Sequence, residues 1–126
     1  MADAGKVRVL VVEDSPAMRQ LIAYTAKRAG ADVTEAADGL AALKLLTKER
    51  FDLLFVDLNM PVMDGLKLIQ RVRDDQAHAG TRICVVTTEG AEESEKQARR
   101  LGADDYLRKP IDRKQVERVL AMIPRK

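Results

Sequence analysis

Val7-Arg8-Val9-Leu10-Val11-Val12-Glu13-Asp14-Ser15-Pro16 is an apolar run closed by two carboxylates and then by a helix-starting pair. A buried strand that ends in charge places that charge at the rim of a sheet, where the loops turn over. Ser15 suits a helix N-cap and Pro16 the first turn, so the stretch reads as strand, acidic corner, helix. Leu53-Leu54-Phe55-Val56-Asp57 repeats the strand and the acidic corner. Two such strands side by side bring Glu13, Asp14 and Asp57 into one small site. Like charges so close are unfavourable unless a cation sits among them or one takes up a proton. The site therefore asks for a divalent metal, and oxygen donors favour Mg²⁺. Lys109, just before Pro110, follows the last strand-like segment and brings a positive charge to the same rim.

Outward from these corners, short apolar runs alternate with segments of helical period. Met18, Leu21, Ile22, Thr25 and Ala29 share one face of the first helix, which Gly30 stops. Asp32 to Ala36 alternates polar and apolar residues, as an edge strand does. Leu40, Leu43 and Leu46 mark a second helix, and Leu66, Ile69 and Val72 a third. Thr81-Arg82 leads into a fourth strand. Residues 91–101 predict a helix with a narrow apolar stripe, able to shift. Its charges, Glu92, Glu93, Glu95, Lys96, Arg99 and Arg100, read as a solvated face. Gly102 ends it, a short strand follows around Tyr106, and Val116, Val119, Leu120 and Ile123 pattern the last helix.

Five strand–helix units imply an α/β fold, doubly wound around a five-stranded parallel sheet with right-handed crossovers. The first, third and fourth strands are nearly all apolar and belong in the centre; the second and fifth are more polar and belong at the edges. Order 2-1-3-4-5 satisfies this, with its switch point between strands one and three. Ligands in open α/β sheets bind outside the strand carboxyl ends at such a point, which is where Glu13, Asp14 and Asp57 fall.

Composition excludes several classes of function. The 126 residues, 46% hydrophobic, predict one domain over 1–126 with a real core and no output domain. A net charge of +2 is too small for a nucleic-acid surface, and the absence of Trp argues against base-stacking platforms. No apolar stretch approaches the ~20 residues of a membrane span, and residues 1–6 lack the apolar core of a signal peptide. Cys84, the one cysteine, lies in an apolar run and reads as a core thiol in a reducing compartment. These features predict a cytoplasmic protein. His78 is the one histidine and reads as part of a solvated loop, so no relay, zinc site or triad can form. Phosphate-binding glycine loops are missing as well.

Thr87-Thr88 ends the fourth strand at the acidic rim. Threonine suits strands in general, but this placement favours a hydroxyl that binds an oxyanion. Asn59 and Glu89 lie two residues beyond Asp57 and Thr87, so both side chains are expected to overhang the site.

Four motifs carry a family resemblance: Val-Val-Glu13-Asp14-Ser15, Asp57-Leu-Asn59-Met60-Pro61-Val-Met63-Asp64-Gly65, Val86-Thr87-Thr88-Glu89 and Tyr106-Leu-Arg-Lys109-Pro110. In this order and spacing they resemble response-regulator receiver domains of the CheY type, over essentially the whole chain. The resemblance implies the flavodoxin-like (βα)5 fold and a bacterial two-component signalling switch rather than an enzyme with an external substrate. It implies that Asp57 accepts a phosphoryl group from a partner histidine kinase. It also implies Mg²⁺ held by Asp14, Asp57, the Asn59 backbone carbonyl and Glu13, directly or through water. Lys109 and the Thr87 hydroxyl would bind phosphoryl oxygens, Thr87 and Tyr106 would carry the switch, and Asn59 and Glu89 would set the phosphoryl lifetime. The downstream partner would be a protein such as a flagellar motor component or a phosphatase, bound by a monomer; the alternative is a phosphate shuttle or sink between histidine-containing proteins. Glu13 departs from the Asp that many members carry, and Thr88 is larger than the usual Ala or Gly.

Overall fold

A computed structural model describes residues 5–60, 63–88 and 92–124. Its elements run β1 Arg8–Val12, α1 Pro16–Arg28, β2 Asp32–Ala36, α2 Gly39–Leu46, β3 Leu53–Asp57, α3 Gly65–Asp74, β4 Arg82–Thr87, α4 Glu92–Leu101, β5 Asp105–Arg108 and α5 Arg113–Ala121, with a 3₁₀ turn at Gln76–His78. All strand pairs are parallel, in the order β2-β1-β3-β4-β5. The polar strands are the edges, and β3, apolar up to Asp57 at its end, lies in the middle with every residue buried.

Alternation along the central strands divides the core in two. Leu10, Val12, Leu54, Val56, Ile83 and Val85 face α2, α3 and the sparse contact of α4. Val9, Val11, Leu53, Phe55, Cys84 and Val86 face α1 and α5. Each fully buried Val, Leu or Phe contributes roughly 1.5–3 kcal/mol, so both faces of the sheet are needed, and this is why the central strands show no polar alternation.

Side-chain caps start most of the helices. Ser15 Oγ accepts from Met18 N at 3.4 Å, Asp38 from Ala41 N at 2.8 Å, and Asp64 from Lys67 N at 2.9 Å. Asp112 and Gln115 form a reciprocal capping box at α5. Gly30 and Gly102 end α1 and α4 at φ +96° and +116°, a region that favours glycine.

Several sequence expectations are corrected. His78 is buried rather than solvated: Asp75 caps the 3₁₀ turn and folds the ring inward, where Nε2 lies 2.9 Å from the Leu46 carbonyl. Leu40 is 46% exposed; Ala42 and Leu46 are the buried residues of α2, along with Gly39. The last helix stops at Ala121, and Ile123 is buried in the turn beyond it. The charged face of α4 is not wholly solvated, because Glu95 pairs with Arg108 at 3.1 Å and the Arg99 guanidinium lies 4.0 Å from the centre of the Tyr106 ring. Within α4 itself only Ala98 is buried, as its narrow stripe predicts. Ala91, expected in this helix, lies outside the described residues.

Candidate functional site

β1 and β3 are adjacent, so Val12 pairs with Val56 and the residues after both strands meet at one rim. Glu13, Asp14 and Asp57 offer carboxylate oxygens that all lie within 4.8 Å of one another. Glu13 and Asp57 are buried at 1% and 2% exposure, while Asp14 is exposed. The Glu13 carboxylate turns back on its own loop, with Oε2 accepting from Ser15 N at 3.0 Å. Asp57 Oδ1 accepts from Asn59 N at 3.0 Å. The Ser15 hydroxyl caps α1 while the Ser15 amide steadies Glu13, so the start of α1 and the acidic corner form one unit.

Lys109 comes from beyond β5. Its Nζ lies 3.1 Å from Glu13 Oε1 and 3.6 Å from Asp57 Oδ2. Its backbone N–H donates to the Thr87 carbonyl at 2.7 Å, tying the end of β4 to the lysine, and the Lys109–Pro110 peptide bond is cis. Thr87 is fully buried, and its hydroxyl donates only a long 3.4 Å bond to the Thr88 carbonyl. Glu13, Asp14, Asp57 and Lys109 are thus brought together, with Thr87 ending the neighbouring strand. Glu89 and Pro61 lie outside the described residues.

Burial raises the Asp57 pKa from 3.8 to about 7, aided by the hydrogen bond and the charge of Glu13 and opposed by the Asn59 N–H and Lys109. Desolvation acts to raise Asp14 too, but hydrogen bonds with Asp57 and Glu13 outweigh it and hold this carboxyl below its ordinary value. Burial acts to lower Lys109, and the charges of Asp57 and Glu13 reverse that effect, leaving the ammonium raised. Among the described residues, Lys109 is therefore the one ammonium set against this cluster of three carboxylates. Glu13 Oε1 is buried and has no hydrogen-bond partner among the described residues despite its ion-pair distance to Lys109. Three hard oxygen donors at this spacing, one of them under-satisfied, fit a divalent cation such as Mg²⁺.

Gly65 is needed where α3 starts beneath this rim. A Cβ there would stand 2.5 Å from the Asp57 carbonyl oxygen and 2.8 Å from Leu58 Cα. Tyr106 has its hydroxyl buried and without a partner among the described residues. One feature of the site escaped the sequence reading. Arg19, from the second turn of α1, donates through Nη1 to the Glu13 carbonyl at 2.9 Å. No local signal in the sequence points to it, because a long charged side chain reads the same whether it is solvated or fixed.

Comparison with known proteins agrees with this geometry. The profile of the response regulator receiver domain matches residues 9–121. The chain belongs to that family. It is 42% identical over 107 residues to a chemotaxis protein CheY homolog of Campylobacter jejuni, covering 83% of this chain and 82% of that one. It is 36% identical over 116 residues to the DNA-binding dual master transcriptional regulator RpaA of Synechocystis, covering 92% of this chain but 47% of that protein. The receiver chain thus spans about half the length of that regulator. Among solved structures, the chemotaxis response regulator CheY4 of Vibrio cholerae superposes with a TM-score of 0.87 at 36% identity, over 92% of this chain and 97% of that one. The five parallel strands in the order 2-1-3-4-5 are those of the flavodoxin-like CheY fold. Among the described residues, no helix is long and apolar enough to cross a membrane.

Proposed function

We propose that this receiver domain takes a phosphoryl group from a phosphohistidine of a partner kinase onto Asp57 and, once modified, changes its affinity for a downstream protein in chemotaxis or motility signalling. The observation that carries this reading is Asp57 itself: a buried carboxylate at the end of the central strand, with two further carboxylates and one ammonium around it. Relatives that match this chain over most of their own length include chemotaxis proteins, which supports a switch over a shuttle.

In the transfer, an Asp57 carboxylate oxygen attacks phosphorus while the phosphorus–nitrogen bond of the donor breaks. The imidazole leaves with the electron pair and takes up a proton, and Asp57 becomes an acyl phosphate. Glu13, Asp14, Asp57 and the Asn59 carbonyl would hold Mg²⁺, which would supply positive charge where negative charge develops on the phosphoryl oxygens in the transfer, the main source of catalysis in such reactions. The Lys109 ammonium serves a second oxygen and the Thr87 hydroxyl a third. Thr87 then exchanges its weak bond to Thr88 for a charged acceptor, which draws the loop after β4 inward. The helix with least apolar packing, α4, follows most easily, and the surface of α4, β5 and α5 carries the signal out. Phosphorylation need only bias an equilibrium between two states, by its differential interaction with each. Hydrolysis by water returns Asp57, with the Asn59 and Glu89 side chains controlling the approach.

Amide chemical-shift mapping with a phosphoryl mimic and Mg²⁺ tests this reading. Wild type is expected to show changes from Asp57 through residues 92–121, and Thr87→Ala to confine them to the rim. Changes confined to the rim in wild type would overturn the proposed output.

A further inference from the structure

Glu13 and Asp14 sit on a loop, and a loop holds two mutually repelling carboxylates in place only if its backbone is fixed. The peptide between them and the peptide before it are each tied toward β2. The Glu13 N–H donates to the Ala36 carbonyl at 3.1 Å. The Glu13 carbonyl accepts from Arg19 Nη1 at 2.9 Å, and Arg19 Nε donates to Glu35 Oε1 at 3.3 Å. Glu35 belongs to β2, in register opposite Val11. The Arg19 side chain is 19% exposed, well covered for a guanidinium, and is thus held between α1 and β2.

We propose that Arg19 is a positioning residue for the divalent-cation site, acting through the Glu13–Asp14 peptide; this rests on the reading of Glu13, Asp14 and Asp57 as the metal ligands. The Glu13 carbonyl and the Asp14 N–H belong to one planar unit. A guanidinium held on that carbonyl therefore fixes the direction in which both carboxylates leave the loop. Arg19 bonds the Glu13 carbonyl and Glu35 and not the clustered carboxylates, so it would act through the peptide rather than as a ligand. Its charge is balanced by Glu35, so its contribution is orientation more than field. Partners that orient metal ligands commonly govern affinity by about 10–100-fold.

Calorimetric titration of Mg²⁺ alone into the metal-stripped chain, at constant ionic strength, tests this with wild type, Arg19→Ala, Arg19→Lys, Glu35→Ala and Asp14→Ala. Arg19→Ala is expected to raise the Mg²⁺ Kd about 10–100-fold, while its metal-free melting temperature stays near that of wild type. Arg19→Lys, which keeps a donor of similar reach, is expected to restore most of the affinity, and Glu35→Ala to give an intermediate loss. The Asp14 amide resonance of the metal-free protein is expected to move in Arg19→Ala, since the peptide loses its hydrogen bond. If wild type binds Mg²⁺ and Asp14→Ala does not, yet Arg19→Ala binds as tightly as wild type, the inference about Arg19 falls alone. Should Arg19→Ala not fold, wild-type affinity in Glu35→Ala would overturn it in the same way. Absence of Mg²⁺ binding by wild type would overturn the metal-site reading as well.

Discussion

Lys109 Nζ stands 3.1 Å from Glu13 Oε1 and 3.6 Å from Asp57 Oδ2, closer to the glutamate than to the aspartate at the end of the central strand. The longer side chain of Glu13 reaches across the site, and its Oε2 is held by the Ser15 amide. The lysine thus compensates two buried carboxylates at once. That arrangement leaves the cluster with excess negative charge.

Metal-free stability is expected to depend on pH through Asp57. Its pKa in the fold, about 7, lies above its ordinary 3.8. A raised acid binds more protons folded than unfolded, so its stabilising contribution is full below 3.8 and is lost as pH rises through about 7. In a chelator, the melting temperature of wild type relative to Asp57→Asn is expected to fall across that interval. A difference that stays flat with pH would count against the charge crowding.

Mg²⁺ is expected to raise the melting temperature, since a ligand of the native state alone stabilises by about 2.7 kcal/mol at a hundredfold excess over its Kd. Asp14→Ala removes one of the three clustered carboxylates and is expected to abolish most of the shift. A melting curve indifferent to millimolar Mg²⁺ would refute the site as a cation site.

Gly65→Ala is expected to destabilise the protein by about 1–3 kcal/mol or more, as overpacking against rigid backbone does. The new Cβ would meet the Asp57 carbonyl oxygen at 2.5 Å, so phosphoryl acceptance is expected to fall with stability. Denaturant unfolding and a phosphorylation assay check both, and a silent substitution would contradict the packing described here.

How much of this was legible in the sequence depends on whether the signal was local. The apolar runs closed by Glu13-Asp14 and by Asp57 showed both the strands and the rim, because a parallel strand buried on two faces admits few polar residues until it ends. Strand order followed from the polarity of Asp32–Ala36 and of the residues around Tyr106. His78 was misread because its burial depends on Asp75 turning the chain inward and on the Leu46 carbonyl, 32 residues away. The Arg19–Glu13 contact was hidden for the same reason: it joins residues from different elements, and long charged side chains in sequence look alike whether solvated or fixed. The engagement of Arg99 with Tyr106 and of Glu95 with Arg108 is likewise invisible in a helix pattern that shows only charge.

Tyr106→Phe is expected to leave stability unchanged or to raise it slightly. The hydroxyl is buried without a partner among the described residues, and burying a polar group unsatisfied costs about 1–3 kcal/mol. Chemical denaturation measures this directly. A loss exceeding 1 kcal/mol, about the worth of one hydrogen bond, would mean that the hydroxyl has a partner.

Phosphorylation of Asp57 is the centre of the account. The most direct measurement is intact-protein mass after incubation with a small-molecule phosphodonor and Mg²⁺, on wild type and on Asp57→Asn. The account predicts that wild type gains one acid-stable, base-labile phosphoryl group, that chelation of Mg²⁺ suppresses the gain, and that Asp57→Asn does not acquire the group. Phosphoryl uptake by Asp57→Asn at the wild-type level would contradict it.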